Sequence, residues 1–278
     1  MAEEPDENIS GGVGSGGRPA SFDPATAGTR AEAVVDQLGE LYWQKAYGGQ
    51  AAFECLVRTI LSQNTSDKAS QPAHDALMDR YGSGASREDG GSVDGEPDLV
   101  FALADAEGST LAETISGAGL YNQKSEVIID AATEIEREFG TAAEFDAFVK
   151  DEPPAAVRQR LLEIHGVGPK TADCVLLFAG GRGGVFPVDT HVHRIARRMG
   201  LADPEADHEA VRAALEDSVP AEKCGFGHTA MIQFGREYCT ARKPACLDGP
   251  EACPLYDLCD RVGVDEIDER VVDPAETA

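Results

Sequence analysis

Amphipathic helical periodicity recurs along most of the chain, and it limits the fold more than any other feature. The apolar residues of 51–62 fall on one helix face: Phe53, Leu56, Val57, Ile60 and Leu61. Comparable patterns follow at 67–81, 124–138, 155–164, 170–179, 190–199, 208–219 and 224–238. No segment shows the sustained alternation of apolar and polar residues that predicts a strand. The sequence therefore predicts an all-α fold with about ten short helices.

The chain ends and one internal segment lack this periodicity. Residues 1–27 are acidic and rich in Gly and Pro, which predicts a disordered tail, and residues 263–278 are predicted to form an acidic C-terminal tail. Residues 82–98 have the composition of a surface loop. No apolar run approaches the ~20 residues of a membrane span, and the N-terminus does not resemble a secretory signal. We therefore expect a cytoplasmic protein without a membrane partner.

The charge balance is strongly acidic. Asp and Glu total 50 against 24 Lys and Arg, a net charge of −26, which by itself argues against a nucleic-acid partner. Only 7 of the basic residues are Lys, and we interpret this composition as halophilic, since the Debye length is only ~3 Å at 1 M salt. A generally acidic mesophilic protein is the alternative. The segment 155–200 carries a net charge of +4, which predicts a local basic face for an anion.

The segment LLEIHGVGPKTADCVLLFA, residues 161–179, predicts a helix–hairpin–helix. Gly166 and Gly168 permit a positive φ and a close backbone approach, and Pro169 suits the first position of a new helix. The hairpin N–H groups and the helix N-terminus would then face the same way, as in sites that bind phosphate. An ordinary tight turn between packed helices is the alternative.

Five segments, taken together and in order, resemble the helix–hairpin–helix–GPD DNA glycosylases, and the endonuclease III branch is the most similar. They are ILSQNTSD at 60–67, GLYNQKSEVI at 119–128, LLEIHGVGPKTAD at 161–173, VFPVDTHVHRIARRMGL at 185–201 and FGREYCTARKPAC at 234–246. The resemblance implies two all-α lobes with DNA in the cleft between them. Residues 50–183 would form a six-helix barrel lobe, and residues 28–49 plus 184–262 a second helical lobe with an iron–sulfur cluster loop.

Lys170 and Asp189 occupy the positions of the family's catalytic lysine and aspartate. A neutral lysine amine attacks C1′ of the damaged nucleotide and forms a Schiff base that permits β-elimination, while the carboxylate stabilises the cationic transition state. A solvated surface lysine and a helix N-cap are the simpler interpretations. The resemblance implies a bifunctional DNA glycosylase and AP lyase of base excision repair that removes oxidised or ring-saturated pyrimidines.

Four of the seven cysteines cluster near the C-terminus with the spacing C-x6-C-x6-C-x5-C: Cys239, Cys246, Cys253 and Cys259. Clustered thiols in an intracellular protein indicate a metal centre, and four thiolates suit a [4Fe–4S] cluster or zinc. The similar family carries a [4Fe–4S] cluster here, with two residues rather than six in the middle interval. A turn at 249–250 is predicted to bulge outward and let the thiols converge.

An enzyme that attacks C1′ must turn the nucleotide out of the duplex and fill the gap. The resemblance assigns this filling to Leu120 and Asn64, with Gln63 as the alternative to Asn64; a core leucine and a helix C-cap are the simpler interpretations. It assigns phosphate contacts to three hairpin residues, Gly166, Val167 and Gly168. His191 either contacts phosphate or caps and packs.

The expected partner is double-stranded damaged DNA, bound by a monomer. Two alternatives stay open: a mismatch-specific glycosylase for adenine, thymine or uracil on the same fold, and a non-catalytic helix–hairpin–helix DNA-binding protein. Lys170 argues against the first alternative, because relatives without this lysine are mostly monofunctional. The pair of Lys170 and Asp189 argues against the second.

Overall fold

Helices dominate the structure, as the periodicity predicts. The computed structural model describes residues 21–42, 47–82 and 98–277, and within these ranges the chain forms twelve α-helices and one two-stranded antiparallel hairpin. The helices are α1 (Arg30–Leu41), α2 (Ala52–Ser62), α3 (Asp67–Leu77), α4 (Leu99–Ala104), α5 (Gly108–Thr114), α6 (Tyr121–Phe139), α7 (Ala142–Asp151), α8 (Pro154–Glu163), α9 (Pro169–Phe178), α10 (Thr190–Met199), α11 (His208–Ser218) and α12 (Cys224–Glu237). The strands are β1 (Val264–Asp265) and β2 (Arg270–Val271). The predicted all-α class is confirmed.

The chain divides into two units, and each has its own buried residues. The continuous unit spans Gly48–Gly181, and the split unit joins Met1–Tyr47 to Arg182–Ala278. No helix among the described residues is long and apolar enough to cross a membrane.

Helix α2 lies at the centre of the continuous unit. Its predicted apolar face is buried at Phe53, Leu56, Val57, Ile60 and Leu61, because one continuous stripe every three to four residues faces the other helices. The long helix α6 contributes a second buried stripe at 127, 128, 131, 132 and 135. These two helices and the hairpin that joins α8 to α9 position the candidate residues of this unit.

Helices α1, α10, α11 and α12 enclose the core of the split unit. Val34, Leu38, Ile195 and Phe234 are among its buried side chains. At the edge of this core, the ammonium of Lys223 lies 2.7 Å from a carboxylate oxygen of Glu32 and 2.7 Å from one of Asp36. The side chains of Lys223 and Asp36 are nearly fully buried, so each charge needs the other to offset its loss of hydration.

Both predicted tails contain anchored residues where the structure describes them. Near the N-terminus, the ring of Phe22 packs edge-on against Phe226 with centroids 4.7 Å apart. Near the C-terminus, β1 and β2 pair, Asp273 forms an ion pair with Arg197, and Pro274 is buried. An acidic composition favours solvent exposure, but it does not reveal single anchoring residues whose partners are distant in the sequence. Residues 1–20 of the predicted N-terminal tail and residues 83–97 of the predicted 82–98 loop lie outside the described residues.

Candidate functional site

The helix–hairpin–helix forms at the predicted place. Helix α8 ends at Glu163, Val167 N–H donates to the carbonyl of Ile164 at 3.1 Å, and α9 begins at Pro169. Gly166 has φ 79°, and a Cβ added there would lie 2.5 Å from Val127 Cγ1. Only glycine meets both conditions, since a side chain would be strained and would clash.

The far side of the hairpin is open where a ligand backbone would approach. A Cβ added to Gly168 meets no atom within 4 Å, and Gly168 provides no side-chain cap for the first turn of α9. Unsatisfied N–H groups at a helix N-terminus attract anions. Val167 as a whole is only 6% exposed and its N–H is bonded to Ile164, so a phosphate contact at this residue stays a prediction.

Lys170 lies in the first turn of α9 and is half-buried. Its charge acts on the buried thiol of Cys55 in α2 and opposes the rise in that thiol's pKa, but burial dominates and raises the pKa of Cys55 to about 12. Nearby, Arg158 and the buried Asp173 form an ion pair at 2.7 Å. The candidate nucleophile therefore extends from a packed helix rather than from a solvated surface loop.

Asp189 is the N-cap of α10. Its Oδ1 accepts hydrogen bonds from the backbone N–H groups of His191 and Val192, both at 2.9 Å. The simpler interpretation of Asp189, a cap, is therefore present in the structure. A cap does not exclude catalysis, because the two backbone donors fix the direction of the carboxylate.

The two loop tips that precede α3 and α6 are exposed. Asn64 has φ 51° and Leu120 has φ 59°, and the side chain of Leu120 is 57% exposed. The interpretation of Leu120 as a core leucine is wrong. An exposed, left-handed leucine is unfavourable for solubility and for backbone energy, and such residues cluster at functional sites.

Gln63, the alternative to Asn64, forms hydrogen bonds to the hairpin. Its Nε2 donates to the carbonyl of Gly166 at 3.2 Å and to Thr171 Oγ1 at 3.0 Å. Gln63 thus ties the loop before α3 to the hairpin, and Asn64 is the residue of this pair whose side chain is exposed.

His191 packs within the split unit. Its Nδ1 lies 3.3 Å from Arg194 Nη2, and burial lowers the pKa of His191 despite the nearby carboxylate of Asp189. A Cβ on Gly235 of α12 would lie 2.6 Å from the same Nδ1. The packing interpretation of His191 therefore has direct support, and a phosphate contact stays a prediction.

The predicted basic face of 155–200 is wrong. Arg160 pairs with Glu134 and Glu138, Arg197 pairs with Asp273, and the buried Arg198 donates to backbone carbonyls of 240 and 241. The sequence shows the surplus of positive charge along 155–200, but the partners lie elsewhere in the chain. These arginines stabilise the fold instead of presenting charge to an anion.

The four clustered cysteines line one apolar cavity in the split unit. Its other lining residues include Met199, Phe234, Leu255 and Arg261. Arg198 Nη1 lies 3.4 Å from Cys239 Sγ, and the backbone N–H of Arg261 lies 3.4 Å from Cys259 Sγ. Convergent thiols, an enclosed apolar site and N–H donors aimed at sulfur are the surroundings that an iron–sulfur cluster requires.

Four thiols around one cavity provide the donor set for either of the two metals that the spacing left open. Tetrahedral zinc holds each sulfur at ~2.3 Å, so the four sulfurs lie close together. Among the described residues, no three Cys, His, Asp or Glu side chains are close enough to hold one metal ion. A [4Fe–4S] cluster binds each thiolate to a different iron, and four thiols around one apolar cavity suit it.

The longer middle interval does not separate the thiols. Its residues form two short 3₁₀ turns, Ala245–Asp248 and Pro250–Ala252, joined at Gly249 with φ 110°. Asp248, Pro250 and Glu251 are exposed, so the extra residues bulge outward. Burial raises the pKa of Cys246 to about 11 and that of Cys259 to about 12, so iron binding at neutral pH must release their protons.

Sequence reasoning missed one polar residue of the site. Lys124 is 4% exposed, and its Nζ donates to the carbonyl of Leu61 and to Thr65 Oγ1, both at 2.7 Å. A signal was present, since Lys124 precedes Val127 and Ile128 by three and four residues and therefore shares their buried helix face.

Comparisons with known proteins agree with this geometry. Residues 57–221 match the family described as HhH-GPD superfamily base excision DNA repair protein, and residues 239–259 match the iron–sulfur binding domain of endonuclease III. Endonuclease III of Treponema pallidum is 31% identical over 235 residues, which cover 82% of this chain and 93% of that protein. Endonuclease III of Sulfolobus acidocaldarius is 30% identical over 207 residues, 74% of this chain and 81% of that protein.

Solved structures show a similar fold. A trapped endonuclease III–DNA covalent intermediate superposes with a TM-score of 0.64 at 24% identity and covers 82% of this chain and 92% of its own. A thermostable thymine-DNA glycosylase superposes with a TM-score of 0.64 at 20% identity, over 84% and 96% of the two chains.

Proposed function

The chain belongs to the HhH-GPD superfamily of base excision DNA repair proteins, in the endonuclease III branch, and we propose that its DNA glycosylase activity is coupled to strand nicking through a lysine Schiff base. The observation that carries this proposal is the position of Lys170, in the first helical turn after the hairpin and within the matched segment. The substrates are oxidised or ring-saturated pyrimidines in double-stranded DNA. The protein acts as a monomer in the cytoplasm.

The continuous unit is the lobe that carries the hairpin, and the split unit is the lobe that carries the iron–sulfur cluster. DNA phosphate binds at the hairpin backbone, at Gly166, Val167 and Gly168. The open space around Gly168 and the uncapped start of α9 support this assignment. Backbone N–H groups position a duplex without reading its sequence, which suits an enzyme that recognises damage.

Lys170 is the nucleophile. The lone pair of its Nζ forms a bond to C1′ of the flipped nucleotide, the bond from C1′ to the base nitrogen breaks, and the leaving base takes up a proton. Opening of the bond from C1′ to O4′ gives the Schiff base. Loss of a C2′ proton then breaks the bond from C3′ to oxygen and releases the 3′ phosphate, and water hydrolyses the remaining imine. The positive end of the α9 dipole favours the neutral amine that this attack requires.

Asp189 supplies the negative charge. Its carboxylate stabilises the positive charge that develops on the deoxyribose as the base leaves, and it assists the proton transfers. The two N–H groups that hold Oδ1 fix the orientation of the carboxylate before the substrate arrives. In this role the hydrogen bonds of the cap position the catalytic carboxylate.

Leu120 and Asn64 enter the duplex when the nucleotide leaves it. Turning a base out costs a few kcal/mol, and an apolar side chain together with an amide partly replaces the lost stacking and pairing. Both side chains are exposed in the continuous unit.

The [4Fe–4S] cluster is held by Cys239, Cys246, Cys253 and Cys259. It provides the interior around which the loop at 239–259 folds. Arg242 and Lys243 lie in this loop and are exposed, and among the described residues their only carboxylate partner, Asp248 at 3.6 Å from Lys243, is itself exposed, so both side chains can reach phosphate. With the arginines of 155–200 engaged within the protein, few cationic contacts reach DNA. We therefore expect a shallow dependence of affinity on salt, because each phosphate contact adds about one unit to the slope.

Strand nicking on a duplex with one thymine glycol tests the proposal in concentrated KCl. A bifunctional enzyme nicks the strand without further treatment. Cleavage that appears only after alkali would overturn the lyase step and favour a monofunctional glycosylase, and binding without cleavage would favour a DNA-binding protein. Duplexes with G·T and A·G mismatches, run in parallel, test the mismatch alternative.

A further inference from the structure

The two exposed loop tips of the continuous unit have strained backbones, and other residues must stabilise them. Asn64 and Leu120 both have left-handed backbones, with φ 51° and 59°. Leucine in this region is strained, and such strain persists only where the surroundings hold the backbone. The residues packed around the two loops must therefore hold both backbones in place.

Lys124 is one of these residues. Its Nζ donates to Thr65 Oγ1, next to Asn64, at 2.7 Å, and its backbone N–H donates to the carbonyl of Leu120 at 2.9 Å. The loops themselves are adjacent, since a Cβ added to Gly119 would lie 3.4 Å from Thr65 Oγ1. The Lys124 side chain thus ties the first turn of α6, whose N-cap is Leu120, to the Asn64 loop, while its backbone bond to Leu120 is an ordinary helical bond.

A lysine suits this position better than a neutral residue would. Its second acceptor, the carbonyl of Leu61 at 2.7 Å, belongs to the last turn of α2, where the helix dipole is negative and favours a cation. An ammonium has three donors and can bridge segments that a hydroxyl cannot span. Burial lowers the pKa of Lys124, so the protein keeps this group at an electrostatic cost.

The hydrogen bonds continue from Lys124 to the hairpin. Thr65 Oγ1 donates to the carbonyl of Gln63 at 3.2 Å, and Gln63 Nε2 donates to the carbonyl of Gly166 at 3.2 Å. The path therefore joins the Leu120 loop, the Asn64 loop and the phosphate-facing hairpin, all inside the continuous unit.

We propose that Lys124 is a positioning residue that fixes the spacing between Leu120 and Asn64, so that both tips enter the duplex together when a damaged nucleotide is turned out. This proposal rests on the proposed function. It assigns Lys124 to the eversion of the base and not to the chemistry at C1′. Loss of Lys124 must therefore slow the removal of a stacked base more than the nicking of an abasic site, where no base has to leave the stack.

Single-turnover rates on a thymine glycol duplex and on a preformed abasic duplex test the inference. Lys124→Met removes the donors and keeps the length of the side chain, and Thr65→Val removes the acceptor without touching the lysine. Thr65→Ser restores the hydroxyl, and Lys150→Met controls for the loss of one positive charge at a half-buried lysine that pairs with Asp146, away from both loops. Fluorescence of 2-aminopurine placed beside the lesion reports unstacking in each variant.

We expect Lys124→Met and Thr65→Val to lower base removal about tenfold or more, since a misplacement on the order of 1 Å can cost ~10²-fold in rate. Abasic nicking should fall less than about threefold, the unstacking signal should weaken, and Thr65→Ser should restore base removal. Equal losses of both rates in Lys124→Met, with Thr65→Val unaffected, would overturn the inference, as would unchanged rates in both. Wild-type protein that neither removes thymine glycol nor nicks abasic DNA would instead overturn the proposed function.

Discussion

The two units hold their functional residues by different means. In the continuous unit, the hairpin and both loop tips are connected by hydrogen bonds of the polypeptide itself, through Lys124, Thr65 and Gln63. In the split unit, four cysteines line one apolar cavity within the segment that matches an iron–sulfur binding domain. One region is preorganised by the sequence alone, and the other is completed by its cofactor.

This difference indicates how the two units respond to damage. A variant in the continuous unit should change how the protein binds DNA and turns out the nucleotide, while the unit remains folded. A variant among the cysteines should change whether the split unit folds, because a structural metal site adds its binding free energy to folding.

The largest expected effect is that of a substitution at Asp189, which tests whether the split unit contributes a catalytic group as well as a folded support. Asp189→Asn keeps a good N-cap but removes the charge, and we expect base removal to fall by ~10²–10⁴ with an unchanged melting temperature. Asp189→Ala also loses the cap and should lose ~1 kcal/mol of stability. Single-turnover rates and thermal unfolding measure both effects. An Asp189→Asn variant with wild-type activity would leave Asp189 as a cap alone.

Loss of a cluster ligand tests the dependence of the split unit on iron. We expect Cys246→Ser to lose the visible absorbance of the cluster and several kcal/mol of stability. Amide hydrogen exchange should increase in 182–278 and stay unchanged in 48–181. Cys224→Ser is the matched control, since Cys224 is buried in the same unit and lies outside the cavity. Increased exchange in both units would contradict the claim that only the split unit depends on iron for its folding.

Gly166→Ala tests the rigidity of the hairpin. The positive φ of 79° and the 2.5 Å approach to Val127 Cγ1 predict a loss of about 2–4 kcal/mol, from backbone strain plus overpacking. Urea unfolding gives this value, and DNA affinity should fall with it. Gly168→Ala is the control, because a side chain there meets open space and φ is negative. Equal stability of the two variants would argue against a tightly packed hairpin.

Leu120→Gly should separate stability from function. Glycine relieves left-handed strain of roughly 1–2 kcal/mol, and the added freedom of the unfolded chain offsets part of this gain. We expect the free energy of unfolding to rise by at most ~1 kcal/mol while removal of thymine glycol slows. A core leucine would behave in the opposite way, with a large loss of stability.

A smaller effect concerns pH. Burial lowers the pKa of His191 and of His193 in the split unit. Both therefore stay neutral in the folded protein at pH values where the unfolded chain takes up protons, below about 6.5. Folding stability should fall as pH decreases through this window. Urea unfolding at about pH 7 and pH 5 checks the slope, and His193→Gln should flatten it more than His165→Gln at the exposed hairpin position.

Local patterns predicted much of the molecule. The apolar face of α2, the hairpin at 164–169 and the outward bulge at 249–250 all follow from short-range spacing and from residues with special backbone freedom. The four cysteines indicated a metal centre because thiols cluster for few other reasons. Lys170 and Asp189 were identified through a resemblance, and their roles stay predictions.

Long-range pairing was not accessible from the sequence. Arg197 and Asp273 are 76 positions apart, and no local pattern connects them. The charge count of 155–200 predicted a basic face because it could not show which arginines are buried. Lys124 was missed for a related reason, since a single lysine in an amphipathic helix is normally solvated.

Borohydride trapping tests the central claim most directly. Wild-type protein, Lys170→Ala and the control Lys150→Ala are each incubated with abasic and thymine glycol duplexes in concentrated KCl. We predict a covalent protein–DNA band for wild type and for Lys150→Ala, and none for folded, iron-loaded Lys170→Ala. A band of wild-type intensity from Lys170→Ala, or nicking by wild type without any trapped band, would contradict the assignment of Lys170 as the nucleophile.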